Sequence, residues 1–120
     1  SNALAYSYMG AILHTQEKYE LAIEYYKKAI LIDDSNSETY SNLGISLLAK
    51  NQKESALQHF KKAVSCDQSN LKAVNNLGKM LMSNGDITEG RRMIRRAEGA
   101  VIFELGKGFH ILEESLNEES

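Results

Sequence analysis

The chain has 120 residues, 42% hydrophobic and 25% charged, with a formal net charge of -2, no proline and one cysteine. That is the size and apolar content of one globular domain, which excludes a disordered or low-complexity segment, and the near-neutral balance argues against a nucleic-acid or membrane-surface protein. No apolar run reaches the roughly 18 to 20 residues of a transmembrane helix, and the lone Cys66 excludes an internal disulfide and leaves a zinc site without thiolates.

The absence of proline beside abundant Leu, Ala, Lys, Glu and Ile favours helix, because proline breaks helix interiors. Ser1-Asn2-Ala3 reads as the remnant of a cleaved expression tag, which leaves room for a longer natural protein. The first predicted helix is apolar on several sides, with Leu4, Tyr6, Tyr8, Met9, Ile12 and Leu13. The expectation is that an upstream helix pair or another chain covers it. Glu17 follows, and then a second helical stretch carrying Ala22, Tyr26 and Ala29.

Asp33-Asp34-Ser35-Asn36 is a cluster of turn formers, and Ser35 with Glu38 reads as a capping box opening the third helix. Tyr40, Leu43, Leu47 and Leu48 keep helical spacing until Lys50-Asn51-Gln52 interrupts, and Ala56, Leu57, Phe60, Ala63 and Val64 resume it. The turn cluster recurs as Asp67-Gln68-Ser69-Asn70. Asn51 and Gly85 stand at the same place after a helix, where a left-handed residue ends it; Glu17 stands there first, so a different turn is expected. After Gly85 comes a helix bearing Arg91-Arg92-Met93-Ile94-Arg95-Arg96, then Gly99-Ala100-Val101-Ile102-Phe103 with no Asp/Ser/Asn turn. That helix is expected either to run on or to break at Gly99 or Gly106-x-Gly108. Residues 109–117, with Phe109, Leu112 and Leu116 on one face, suit a C-terminal capping helix within an acidic tail spanning 105–120.

Gly10, Gly44 and Gly78 lie 34 residues apart, as do Met9/Leu43/Leu77, Leu13/Leu47/Leu81, Tyr26/Phe60/Ile94, Ala29/Ala63/Ala97 and Ala22/Ala56/Gly90. The chain therefore contains three tandem helix hairpins, about 3–36, 37–70 and 71–104, each unable to bury its apolar face alone. Gly10 and Ala22, with their counterparts, are expected to face one another where paired helices cross, and the aromatic that follows to fill space between hairpins.

Met9-Gly10-x-x-Leu13, Leu43-Gly44-x-x-Leu47 and Leu77-Gly78-x-x-Leu81, with Ala22-x-x-x-Tyr26 and Ala56-x-x-x-Phe60, resemble the signature of the tetratricopeptide repeats. The family's large aromatic becomes Tyr6, Tyr40 and Val74, and its proline becomes Asp34, Gln68 and Ile102. The resemblance implies an all-α, right-handed superhelical solenoid. It also implies a concave groove, lined by the first helices, for a peptide or a partner helix. Carried over, the expected groove residues are Tyr8, Asn42, Ile45, Leu48, Lys72, Asn75, Asn76, Lys79 and Met82.

Asn42 and Asn76 share one groove position, where amides would hold an extended peptide backbone or else satisfy local polar groups and water. Of the family's clamp for a chaperone C-terminus only Asn42 and Lys72 match, since Ser7 and Ala11 replace its first lysine and asparagine. The arginine run is in part the solvated outer face already seen as Lys27-Lys28 and Lys61-Lys62. His14, His59 and His110 fall at unrelated repeat positions, and no catalytic, cofactor or metal motif appears. The expected function is a cytoplasmic, non-catalytic scaffold for protein or peptide partners, without nucleic acid or membrane. Self-assembly through terminal helices, or targeting of a larger enzyme, are the alternatives.

Overall fold

A computed structural model describes the backbone of residues 2–105 and the side chains of residues 2–99. The described residues form six α-helices: α1 (Asn2–Thr15), α2 (Tyr19–Ile32), α3 (Ser37–Ala49), α4 (Lys53–Cys66), α5 (Leu71–Ser83) and α6 (Ile87–Leu105). Each helix packs on the next in sequence; α1 also touches α3, and α3 touches α5. Among the described residues the even helices do not approach one another. A stack whose odd helices meet while its even helices splay must curve, with α1, α3 and α5 inside the bend.

Helix ends repeat as faithfully as helix interiors. Glu17 (φ 62°), Asn51 (φ 63°) and Gly85 (φ 100°) are all left-handed. The next residue's N–H reaches back across each turn, from Lys18 to the Leu13 carbonyl, Gln52 to Leu47 and Asp86 to Leu81. The different turn expected at Glu17 is therefore absent, because satisfying the last helical carbonyls outweighs the cost of a left-handed non-glycine residue. The capping box is also corrected. Asn36 caps α3 by accepting from Thr39 N–H, and Asn70 caps α5 by accepting from Ala73 N–H. Ser35 and Ser69 instead donate N–H and O–H to Asp33 and Asp67, closing the turns before the caps. Those hydrogen bonds hold both exposed carboxyls below their usual range.

The repeated glycines answer a steric demand of the helix crossing and of the ring packed against it. A β-carbon on Gly10 would lie 2.7 Å from Tyr26 Cε1, and one on Gly44 would lie 2.8 Å from Phe60 Cε1. In the first two hairpins the ring of the second helix thus lies against the glycine, and in the third Gly78 and Gly90 face one another as expected, a β-carbon on Gly78 lying 2.9 Å from the Gly90 carbonyl oxygen. Tyr26, Phe60, Ala22 and Ala56 are buried in one cluster with Ile23, Leu43, Leu47, Leu57, Leu77 and Leu81, a core continuous from α2 to α5. Each ring buried this way contributes about 1.5–3 kcal/mol. Burial and the neighbouring Glu38 carboxylate push the Tyr26 phenol up to about 12.

The 19-residue α6 passes through Gly99 without a break. With no proline and no Asp/Ser/Asn turn, nothing in the sequence stops it there, and a β-carbon on Gly99 would meet open space. The expected capping helix and the alternative break at Gly106-x-Gly108 lie outside the described residues.

Candidate functional site

The inner surface has two seams of different chemistry. Where α1 meets α3, Ser7 and Thr39 share a buried hydroxyl–hydroxyl hydrogen bond of 3.2 Å, and His14 Nδ1 is hydrogen-bonded to Ser46 Oγ at 2.9 Å. The His14 ring also meets Tyr19 edge-on, with centroids 5.1 Å apart. Polar groups here are consumed within the chain.

One repeat further on, the same positions pair Ser41 with Ala73 and Leu48 with Met80. Ser41 Oγ has lost its hydroxyl partner and is buried without a hydrogen bond; the Asn76 amide nitrogen is likewise buried and unpaired. An unpaired buried polar group costs about 1–3 kcal/mol, and this seam carries two of them.

A depression of about 420 Å³ opens at this second seam, lined by Ile45, Leu48, Lys53, Phe60, Asn76, Lys79, Met80 and Ser83. Four expected groove residues, Ile45, Leu48, Asn76 and Lys79, converge on it. Its floor is apolar, its charged lining residues are two lysines, and no carboxylate lines it. Lys72 lies elsewhere, in a polar depression of about 570 Å³ at the starts of α3 and α5, shared with Glu38, Ser41 and Asp67. Asn42 and Asn75 are half-buried and line neither depression. Tyr8 is exposed on α1, a full seam away. Met82 is half-buried over Gly90, its Cγ lying where a β-carbon on that glycine would go. Glycine in place of the alanine found in the first two units leaves that room, so Met82 turns toward α6 and not into the depression.

Lys53, Phe60 and Met80 were not among the expected residues. Lys53 and Phe60 come from α4, and a pattern that assigns the groove to first helices passes over them; the tight turn at Asn51 is the signal that the start of α4 returns beside the end of α3. Met80 lies beside Lys79 on α5, at the place Ser46 holds on α3, where the repeat suggests burial under the preceding hairpin.

Elsewhere, His59 is half-buried and donates from Nδ1 to the Ser55 carbonyl at 2.8 Å, a local bond on its own helix. Cys66 is half-buried beside the Asp34 carbonyl. Arg91, Arg92, Arg95 and Arg96 are all exposed, with Arg92 paired to Glu89. Among the described residues no three His, Cys, Asp or Glu side chains gather to hold a metal ion, and no helix is long and apolar enough to cross a membrane.

A solenoid of helix hairpins with an open inner groove is the architecture of a protein-interaction module. The sequence profile of the family described as "Tetratricopeptide repeat" matches residues 1–69, and the chain belongs to that family. No curated protein matches it in sequence. Solved structures do. The second tetratricopeptide domain of Spaghetti (RPAP3), bound to the HSP90 peptide SRMEEVD, is similar at 25% identity and TM-score 0.77, over 81% of this chain and 90% of that one. The Arabidopsis OM64 tetratricopeptide domain is similar at 22% identity and TM-score 0.76, over 99% of this chain and 97% of its own. MamA from Desulfovibrio magneticus RS-1 shares the fold at 21% identity and TM-score 0.73, over 82% of this chain and 55% of that one.

Proposed function

We propose that this protein is a non-catalytic scaffold that takes a peptide or a partner helix into its concave face, centred on the depression between α3 and α5. The observation that carries this reading is the buried, unpaired Asn76 amide beside an apolar hollow with Lys53 and Lys79 among its lining residues. Such a hollow accepts one bulky apolar side chain, the amide donates to a peptide carbonyl, and the lysines favour acidic neighbours. The peptide bound by the Spaghetti domain gives a precedent for peptide binding by a similar fold. The clamp seen in the sequence pattern contributes little, because Lys72 faces a separate depression shared with two carboxylates. A cytoplasmic location and the absence of catalysis belong to the same proposal.

The experiment is to pan a random displayed-peptide library against the chain and titrate the winners against wild type and Asn42→Ala/Asn76→Ala. Loss of affinity of tenfold or more in the double variant is the expected result. Equal affinity in both would remove the site.

A further inference from the structure

The two depressions of the inner surface lie along one pair of helices. The polar one sits at the starts of α3 and α5, lined by Glu38, Ser41 and Lys72 beside Asp67; the apolar one sits toward their ends, lined by Ile45, Leu48, Asn76 and Lys79. Start lies beside start and end beside end, so the two helices run side by side in the same direction. On either helix the two depressions are centred about eight or nine residues apart, roughly 13 Å at the 1.5 Å rise of an α-helix. About four residues of extended chain cover that distance, and side chains four apart in such a chain project to the same side.

The depressions differ in charge. Lys53 and Lys79 stand at the apolar one with no carboxylate among its lining residues. The polar one has two carboxylates, Glu38 and Asp67, against the single ammonium of Lys72. Ser69 donates its N–H and O–H to Asp67, which keeps that group ionised. Among the described residues none of Glu38, Asp67 and Lys72 is engaged in an ion pair. Even with Lys72 turned to one carboxylate, the other is left without a cation. Ser41 lines the same depression at 1% exposure, and its hydroxyl has no hydrogen-bond partner.

The two unpaired groups flank the interval between the depressions. Ser41 is the residue of the polar one nearest the apolar one along α3, and Asn76 is the residue of the apolar one nearest the polar one along α5. A bound helix pairs its own backbone groups and has few to offer them, whereas an extended chain crossing the interval presents free N–H and C=O groups.

We propose that the ligand of this face is an extended peptide with a lysine or arginine four positions from its bulky apolar residue. The cation enters the hollow of Glu38 and Asp67, and the apolar side chain, with acidic neighbours, enters the hollow of Lys53 and Lys79. This rests on the groove reading and adds to it a second subsite at a fixed spacing.

The test aligns the peptides that the whole chain selects from a random displayed library, keeping those whose affinity falls tenfold or more on Asn42→Ala/Asn76→Ala. Lys or Arg is expected to recur four positions from the apolar residue. Replacing that basic residue by Glu in a selected peptide is expected to weaken binding about fivefold or more, and Glu38→Lys is expected to do the same to the original peptide. Combining the two changes is expected to restore most of the loss. Glu38 is exposed, and Glu38→Lys is expected to keep the helical content of wild type by circular dichroism. Peptides that depend on Asn76 but carry no basic residue at that spacing would overturn the inference and leave the groove reading standing. So would undiminished binding to Glu38→Lys, or a basic residue about eight or nine positions away, the spacing of a bound helix. Peptides indifferent to Asn42→Ala/Asn76→Ala would remove both.

Discussion

The two seams of the inner surface use the same repeat positions for opposite ends. Between α1 and α3, Ser7 meets Thr39 and His14 meets Ser46, so the seam is latched by hydrogen bonds. Between α3 and α5 the partners are Ala73 and Met80, and the hydroxyl of Ser41 and the amide of Asn76 are left unpaired. One seam spends its polar groups on holding the stack together; the other leaves a donor unpaired beside an apolar hollow. In a repeat protein, where neighbouring units stack by the same backbone geometry, two or three substitutions at seam positions decide which of these a seam becomes.

The largest effect is expected in what the seams share. Gly44→Ala drives a β-carbon into the Phe60 ring and should cost about 1–3 kcal/mol in urea unfolding, since the ring is walled in and can retreat only by disturbing the core. An unchanged midpoint would show that the ring is not held flat against α3.

The contrast itself is broken next. Thr39→Ala strands the buried Ser7 hydroxyl and should destabilise by about 1–2 kcal/mol, and Ser7→Ala in the same molecule should return part of that loss. Ser41→Ala, which removes a buried hydroxyl with no partner, should cost nothing and stabilise by up to about 1–3 kcal/mol. Equal losses at Ser7 and Ser41 would erase the distinction between the seams.

Smaller still, Glu17→Gly should stabilise by about 0.5–1 kcal/mol, because glycine takes the left-handed conformation without the steric cost that glutamate pays. A loss of stability on that change would mean that the Glu17 side chain supports the turn. Finally, Tyr26 gives a pH signature. Its phenol is raised from 10.0 to about 12, so the fold favours the neutral ring. The associated stability is fully present below about pH 10 and is lost as pH rises through about 12. Tyr26→Phe should flatten this alkaline decline in thermal melts, and an identical decline in the variant would assign it to other groups.

Much of this was legible in the sequence, for identifiable reasons. The 34-residue recurrence of Gly10, Gly44 and Gly78 carries the hairpin stack, because crossing helices tolerate little else there. The turn at Glu17 was not legible, since a left-handed non-glycine residue leaves no mark of its own in composition. The cap of α3 was missed by one residue: Ser35 and Asn36 are both good caps, and only Asp33's capture of Ser35 decides between them. At the site, the family resemblance marked which first-helix positions face the groove but not what crosses the seam to meet them. That is why Lys72 and Met82 separate from Ile45, Leu48, Asn76 and Lys79, and why Lys53 and Phe60 join them from α4.

The most direct measurement follows the Asn76 side-chain amide by NMR while a peptide selected on the chain is titrated in. The account predicts that the two Asn76 amide protons shift on binding and exchange more slowly with water, together with backbone signals of Ile45, Leu48 and Lys79, while those of Ser7, His14 and Tyr8 stay in place. Shifts confined to α1 or to the outer helices, with Asn76 unmoved, would contradict it.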